Sequence, residues 1–231
     1  MFNINLHKTI MVKILKEIYS DISLGPILGF KGGTLVYLLY NLPRFSVDLD
    51  FDLLKEGKEN FVLEKVGKIL EKFGTLREKR SKRYTLFFLL SYGLGERQLK
   101  VEISKRSSGS KFELKNYLGI PILAMEKKDI FANKLATLLE RREVANRDIF
   151  DIWFFAKEGW PINYKLVEER TDLSFEKYIK KCIATLEKTS DKYILTGMGE
   201  LLDNKLKIWA KDNLKKETIF QLKLLLESLG F

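Results

Sequence analysis

Asp48 and Asp50, in the segment Ser46-Val47-Asp48-Leu49-Asp50-Phe51-Asp52-Leu53, carry the strongest chemical signal in this chain. Acidic and apolar side chains alternate through the segment, which predicts a strand over 46–53 with one charged face. Residues two apart on a strand point the same way, so the two carboxylates are expected side by side. Like charges that close raise each other's free energy unless a cation sits between them. Oxygen donors without His or Cys select a hard ion, so Mg2+ or Mn2+ is the expected metal. A later alternating segment, Leu99-Lys100-Val101-Glu102-Ile103, sets Glu102 against its apolar neighbours and makes it the third expected metal ligand. Upstream stands Gly32-Gly33-Thr34, between a short apolar strand, Pro26 to Phe30, and a helix that Leu35 to Tyr40 can open. Two glycines let the backbone approach an anion, and the helix start aims unpaired N–H groups at it. Thr34 adds a hydroxyl, and phosphate is the obvious anion. Carboxylates on adjacent strands beside a phosphate loop describe a two-metal phosphoryl- or nucleotidyl-transfer site.

The scarce residues narrow the chemistry further. The only cysteine, Cys182, excludes an internal disulfide and a thiolate-rich zinc site. The only histidine, His7, excludes multi-histidine metal sites and argues against a Ser–His–Asp triad. His7 reads as a surface residue and Cys182 as a core one. The chain has 231 residues, 45% of them hydrophobic and 31% charged, enough for one compact domain or two small ones. Its net charge of +10 favours a polyanionic partner. Near the N-terminus, Ile10, Ile14, Leu15, Ile18 and Ile22 recur at helical spacing between lysines, which reads as an amphipathic helix and not a signal peptide. The strongest apolar run, Leu86 to Leu90, is far shorter than the roughly 20 residues of a membrane span. A cytoplasmic protein without membrane contact is expected.

These residues need a scaffold. Strands are predicted over 26–30, 46–53, 84–92 and 98–104, the last two joined through Gly93 and Gly95 in a hairpin-like turn, with a helix over 59–73. After Pro121 the texture changes: 126–141, 146–157, 174–188 and 213–228 carry apolar residues at three- and four-residue spacing. The expected architecture is an α/β (α+β) domain over 1–120, built on a small mixed sheet, and a helical domain over 121–231.

Gly32-Gly33-Thr34 followed by Arg44-Phe45-Ser46-Val47-Asp48-Leu49-Asp50-Phe51 resembles the nucleotidyltransferase superfamily that includes DNA polymerase beta. More narrowly, it resembles the AbiEii/AbiGii group of toxin nucleotidyltransferases. Lys134 and Arg147-Asp148-Ile149-Phe150-Asp151 are similar to that group's downstream Lys and Arg-Asp-x-x-Asp motifs, so the resemblance covers roughly residues 28–155. It implies the nucleotidyltransferase fold, with an NTP held in a cleft between the two halves. It implies that Gly32, Gly33 and Thr34 hold the NTP phosphates with Ser46 nearby, and that Asp48 and Asp50 bind the metals. Lys134 would steady the triphosphate charge, and Asp148 would complete the catalytic set from the helical half. The implied reaction moves NMP to an acceptor hydroxyl, above all the 3′ end of tRNA, in the toxin of a toxin–antitoxin pair with a cognate antitoxin as partner. The alternatives are a small-molecule or protein acceptor, or a non-catalytic nucleic-acid binder on the same scaffold.

Each motif also has a plain structural reading. Gly32-Gly33 alone is an ordinary turn and Asp48-Leu49-Asp50 alone a solvated strand face; their joint occurrence favours a site. Asp148 and Asp151 share a helix face beside Arg147 and also fit an ion-pair network, while Arg44 reads as a brace for the strand. Lys31, just before the glycines, lies within reach of a phosphate. Phe87-Phe88 reads as sheet core, and Ile152-Trp153-Phe154-Phe155 as a seam between the halves. Two basic segments, Arg77 to Arg83 and Lys105 to Lys111, each adjoin a predicted strand. If those loops converge, they form a polyanion-binding surface that Arg141-Arg142 and Lys180-Lys181 would extend.

Overall fold

A computed structural model describes residues 3–141 and 143–230, so Arg142 lies outside the described residues. The chain forms two compact units, one of Met1–Asn41 and Phe45–Met125, the other of Leu42–Arg44 and Glu126–Phe231.

The first unit contains helices α1 (Ile4–Ser20), α2 (Gly32–Tyr40) and α3 (Glu59–Glu71). Its strands are β1 (Leu28–Lys31), β2 (Asp48–Leu53), β3 (Thr75–Ser81), β4 (Thr85–Ser91), β5 (Leu99–Ser104), β6 (Phe112–Tyr117) and β7 (Ile120–Met125). They make one mixed sheet in the order β3-β4-β5-β2-β1-β7-β6. The pairs β1–β7 and β2–β5 are parallel, and the rest are antiparallel. Alternation sorts the strands into two faces. Phe30, Phe51, Phe88, Val101 and Ile103 are fully buried on one face, as are Met11, Ile14, Leu15 and Ile18 of α1 and Val62, Val66 and Leu70 of α3. Burying each large apolar side chain contributes roughly 1.5–3 kcal/mol, so this layer anchors the sheet. The opposite face carries the half-buried Asp48 and Asp50 of β2 and Lys100 and Glu102 of β5.

The expected helix over 59–73 and strands over 46–53, 84–92 and 98–104 appear with trimmed ends. Strands β3, β6 and β7 were not expected. Consequently the sheet runs to Met125, past the expected boundary near 120. Pro121 sits near the start of β7, opposite Asn116 of β6, where a strand tolerates a missing N–H.

The second unit is helical: α4 (Lys127–Glu140), α5 (Asn146–Lys157), α6 (Tyr164–Thr171), α7 (Phe175–Lys188) and α8 (Asn204–Ser228). The periodic stretch over 213–228 is the latter part of α8, whose first turn is capped by Asp203 accepting from the Leu206 N–H at 2.8 Å. Ile152, Trp153, Phe154 and Phe155 are buried and build this unit's core: Trp153 packs on Trp209 with ring centroids 4.3 Å apart, and Phe155 stacks on Trp160 at 4.5 Å. The Tyr178 hydroxyl donates to the carbonyls of Leu135 and Ala136, tying α7 to α4. Among the described residues, no helix is long and apolar enough to cross a membrane.

Candidate active site

The two aspartates and the glycine turn meet in the first unit. Asp48 and Asp50 lie on the same face of β2, and Lys31, the last residue of β1, is in register with Asp50. The chain turns at Gly32 directly into α2, with φ at +82°. A Cβ on Gly32 would stand 2.5 Å from Asp50 Oδ2, so the missing side chain is what lets the start of α2 close onto the carboxylate. The first N–H groups of α2, from Gly32, Gly33 and Thr34, have no carbonyl within the helix to pair with. They form the donor set a phosphate needs. The Thr34 side chain has a different assignment: it is fully buried, and its hydroxyl donates to the Asp48 carbonyl. Its single proton fixes β2 to α2, and Thr34 is left facing an anion through its backbone N–H. Ser46, 8% exposed, lies two residues before Asp48.

Gly32→Ala therefore opposes both the left-handed φ and the Asp50 carboxylate. We expect a loss of about 1–2 kcal/mol in stability from the backbone alone, read by thermal denaturation. Nucleotide binding should fall further than that loss explains, because Asp50 must move away. Wild-type nucleotide binding in this variant would remove the glycine turn from the site.

Lysines thread the acidic face. Lys100 of β5 is in register with Asp48, and Glu102 with Asp50. The Lys100 ammonium lies 3.2 Å from Asp48 Oδ2 and 3.4 Å from Glu102 Oε2. Burial alone would lower the Lys100 pKa, but Asp48, Glu102 and Asp50 outweigh it and hold it above the usual value. Asp50 is pushed up to about 6, first by burial and then by the neighbouring charge of Asp48. That carboxylate pair carries an electrostatic cost that a divalent cation would relieve, so Asp48 and Asp50 fit a hard ion by donor chemistry and by energetics. Among the described residues, no group of three His, Cys, Asp or Glu side chains stands ready to hold a metal. Glu102 is on the right face and strand, but the Lys100 ammonium bridges it to Asp48.

Asp52, which the sequence did not single out, joins Lys31 and His7 around this face. Asp52, 2% exposed, takes the Lys31 ammonium at 2.5 Å and a hydrogen bond from the Ser108 hydroxyl at 3.2 Å. Lys31 thus has a carboxylate partner within the strand pair, where a reach to phosphate was expected. His7, expected at the surface, is fully buried, with Nε2 2.9 Å from the Val47 carbonyl and Nδ1 2.5 Å from the Tyr92 hydroxyl. Burial holds its pKa down, which favours the neutral ring. Since a carbonyl only accepts, Nε2 carries the proton and Nδ1 accepts from Tyr92. His7 thereby fixes the backbone one residue before Asp48.

The remaining expected residues form a buried ion network in the helical unit. Arg44 donates through Nε to Asp151 Oδ1 at 2.6 Å and through Nη2 to Oδ2 at 2.7 Å. Its partner is therefore Asp151 of α5, where a brace for the strand was expected. The Lys134 ammonium lies 2.9 Å from Asp148 Oδ1 and 3.0 Å from Asp151 Oδ2. Burial would lower the Lys134 pKa, but Asp151 and Asp148 reverse that and hold the amine protonated. Two of its three N–H donors are directed at carboxylates, and one remains. Asp148, nearly fully buried, also has Arg141 Nε 3.3 Å from Oδ2, an oxygen without a hydrogen bond.

Comparisons with known proteins place the chain by fold and family. Two Helicobacter pylori crystal structures share the fold. JHP933 has a TM-score of 0.65 and 22% identity, covering 100% of this chain and 95% of its own. The second, a candidate nucleotidyltransferase, has a TM-score of 0.63 and 23% identity, covering 97% of this chain and 95% of its own. No curated protein matches the sequence. Residues 13–213 match the family described as nucleotidyl transferase AbiEii toxin, type IV toxin–antitoxin system. With most of the chain inside that match, and a glycine turn closed onto an aspartate pair, the protein belongs to the AbiEii family of nucleotidyltransferase toxins.

Proposed function

We propose that the chain transfers NMP from an NTP to the 3′ hydroxyl of tRNA, with Asp48 and Asp50 holding Mg2+ or Mn2+. The observation that carries this reading is the closure of the Gly32 turn onto Asp50, which sets unpaired helix N–H groups beside the carboxylate pair. When bound there, a divalent ion would polarise the α-phosphate and lower the proton affinity of the acceptor hydroxyl. Asp48 and Asp50 would hold it, with Glu102 the third expected oxygen donor on the same face. The N–H groups of Gly32, Gly33 and Thr34, with Ser46 nearby, receive the phosphate oxygens. The family resemblance gives Lys134 the triphosphate charge, and Asp148 holds that ammonium in place. The acceptor oxygen bonds to the α-phosphorus, the bond to the β-phosphate breaks and pyrophosphate leaves, while the hydroxyl proton passes to a carboxylate of this face.

The +10 net charge supports an RNA acceptor over a neutral small molecule. As a toxin, the protein would be countered by a cognate antitoxin in the same cell. The deciding experiment supplies each α-labelled NTP in turn, with Mg2+ or Mn2+, to protein and total tRNA. We expect label on tRNA from a preferred NTP, and none after chelation by EDTA. Label on a small molecule or a protein with none on tRNA would overturn the acceptor, and undiminished transfer in EDTA would overturn the metal.

A further inference from the structure

The two basic segments converge. The β3–β4 turn, Lys82 to Tyr84, and the β5–β6 connection, Lys105 to Lys111, meet at the Tyr84 ring. The Lys105 N–H donates to the Tyr84 carbonyl at 2.8 Å, and Lys105 Nζ reaches Ser81 Oγ at 3.3 Å. The Arg106 guanidinium lies 4.2 Å from the Tyr84 ring centroid and that of Arg83 lies 4.9 Å away, both within cation–π range. Tyr84 nevertheless remains 42% exposed, and both arginines are exposed. Among the described residues, neither guanidinium is paired with a carboxylate.

This cluster is physically continuous with the acidic face. Phe87 is in register with Glu102, which is in register with Asp50, so Phe87 shares the face of the aspartates. Contrary to the expectation of a uniformly buried pair, only Phe88 is core; Phe87 is half-buried under the Lys82 ammonium, 3.7 Å from its ring centroid. The loop that sets Arg106 on Tyr84 also sets Ser108 on Asp52. From Glu102 to Lys105 is three residues, about 10 Å along a strand at roughly 3.3 Å per residue.

We propose that Arg83, Tyr84 and Arg106, with Lys82, form the docking platform for the RNA acceptor, gripping the strand whose terminal hydroxyl reaches Asp48 and Asp50. This rests on the RNA reading of the function above. An exposed ring offers a sequence-tolerant stacking surface for a base, and unpaired guanidinium groups present N–H forks to the flanking phosphates. A ring packed for stability alone would be buried, and guanidinium groups held for stability alone would face carboxylates.

The test measures binding of fluorescein-labelled tRNA by anisotropy across a salt series, with circular dichroism to confirm folding and a separate NTP-binding titration. For Arg83→Ala/Arg106→Ala, we expect about tenfold to a hundredfold weaker RNA binding and a log–log salt slope shallower by about 1.4–1.8, since each phosphate contact contributes about 0.7–0.9. For Tyr84→Leu, we expect about tenfold weaker binding with the slope unchanged, because stacking releases no counterions. NTP binding should be the same in all three proteins. If wild type labels tRNA but the folded variants bind it as wild type does, the platform is wrong and the function stands. If wild type neither binds nor labels tRNA, the RNA reading fails and takes the platform with it.

Discussion

Asp50→Asn should slow nucleotidyl transfer by about a hundredfold or more and, in metal-free protein, raise stability. The two effects have one cause. Burial and the Asp48 charge push the Asp50 pKa from 3.8 to about 6, so the folded protein works against ionising this group. A carboxyl whose folded pKa is raised binds its proton more tightly in the native state than in the unfolded one. Stability therefore falls as pH rises from about 4 to about 6 and stays lower above that window. An amide of the same shape carries no charge, so at pH 7 the variant gains about 1–3 kcal/mol. The same substitution removes one anionic ligand of the proposed cation and leaves Asp48 and Glu102 facing the ammonium of Lys100. A metal ion's charge stabilisation is worth several kcal/mol, so the rate should drop by about a hundredfold to ten-thousandfold. Thermal denaturation in EDTA at pH 7 and label transfer with Mg2+ measure the two sides. Lost activity with lower stability would make Asp50 a structural residue; retained activity would remove it from the site.

The signals that were readable in the sequence are those that depend on a few neighbouring residues. Asp48 and Asp50 could be placed on one face because a strand's period is two, and the Gly32-Gly33 turn because paired glycines between an apolar strand and a helix punctuate the chain locally. Strands β3 and β6 were not readable because they are the two edges of the sheet. Edge strands suit charged side chains on both faces, as in Thr75 to Ser81, and that pattern looks like a solvated loop. The assignments of Lys100 and Lys31 depend on strand register, Asp48 with Lys100 and Lys31 with Asp50, which no single strand encodes. Burial of His7 depends on a carbonyl 40 residues away, and Arg44 finds Asp151 across 107 residues. The convergence of the two basic loops is likewise a consequence of β4 lying between β3 and β5.

The Arg44–Asp151 pair predicts the largest loss of stability. Arg44 is 3% exposed and Asp151 fully buried, and their two parallel hydrogen bonds satisfy both carboxylate oxygens. Burial, the strongest influence on Asp151, would raise its pKa, but Arg44 and Lys134 overcome it and hold the pKa below 3.8. Arg44→Ala leaves that charge in the interior with Lys134 alone, and breaking one side of a buried pair costs about 3–5 kcal/mol. Arg44→Lys keeps the charge but loses the fork, and should fall between wild type and alanine. The sign with pH follows from the depressed pKa: the stability due to ionised Asp151 is present above about pH 4 and is lost as pH falls through the folded value. Acid unfolding of Arg44→Ala should therefore begin at higher pH than in wild type. The three tryptophans, Trp153, Trp160 and Trp209, all lie in the helical unit, so their fluorescence during urea unfolding reports on it selectively. A cost under about 1 kcal/mol would place the pair in solvent, where exposed ion pairs belong. A cost in the predicted range, with Arg44→Met/Asp151→Leu more stable than either single variant, would identify the pair as a coupled buried unit, since removing both charges leaves none of the two unpaired.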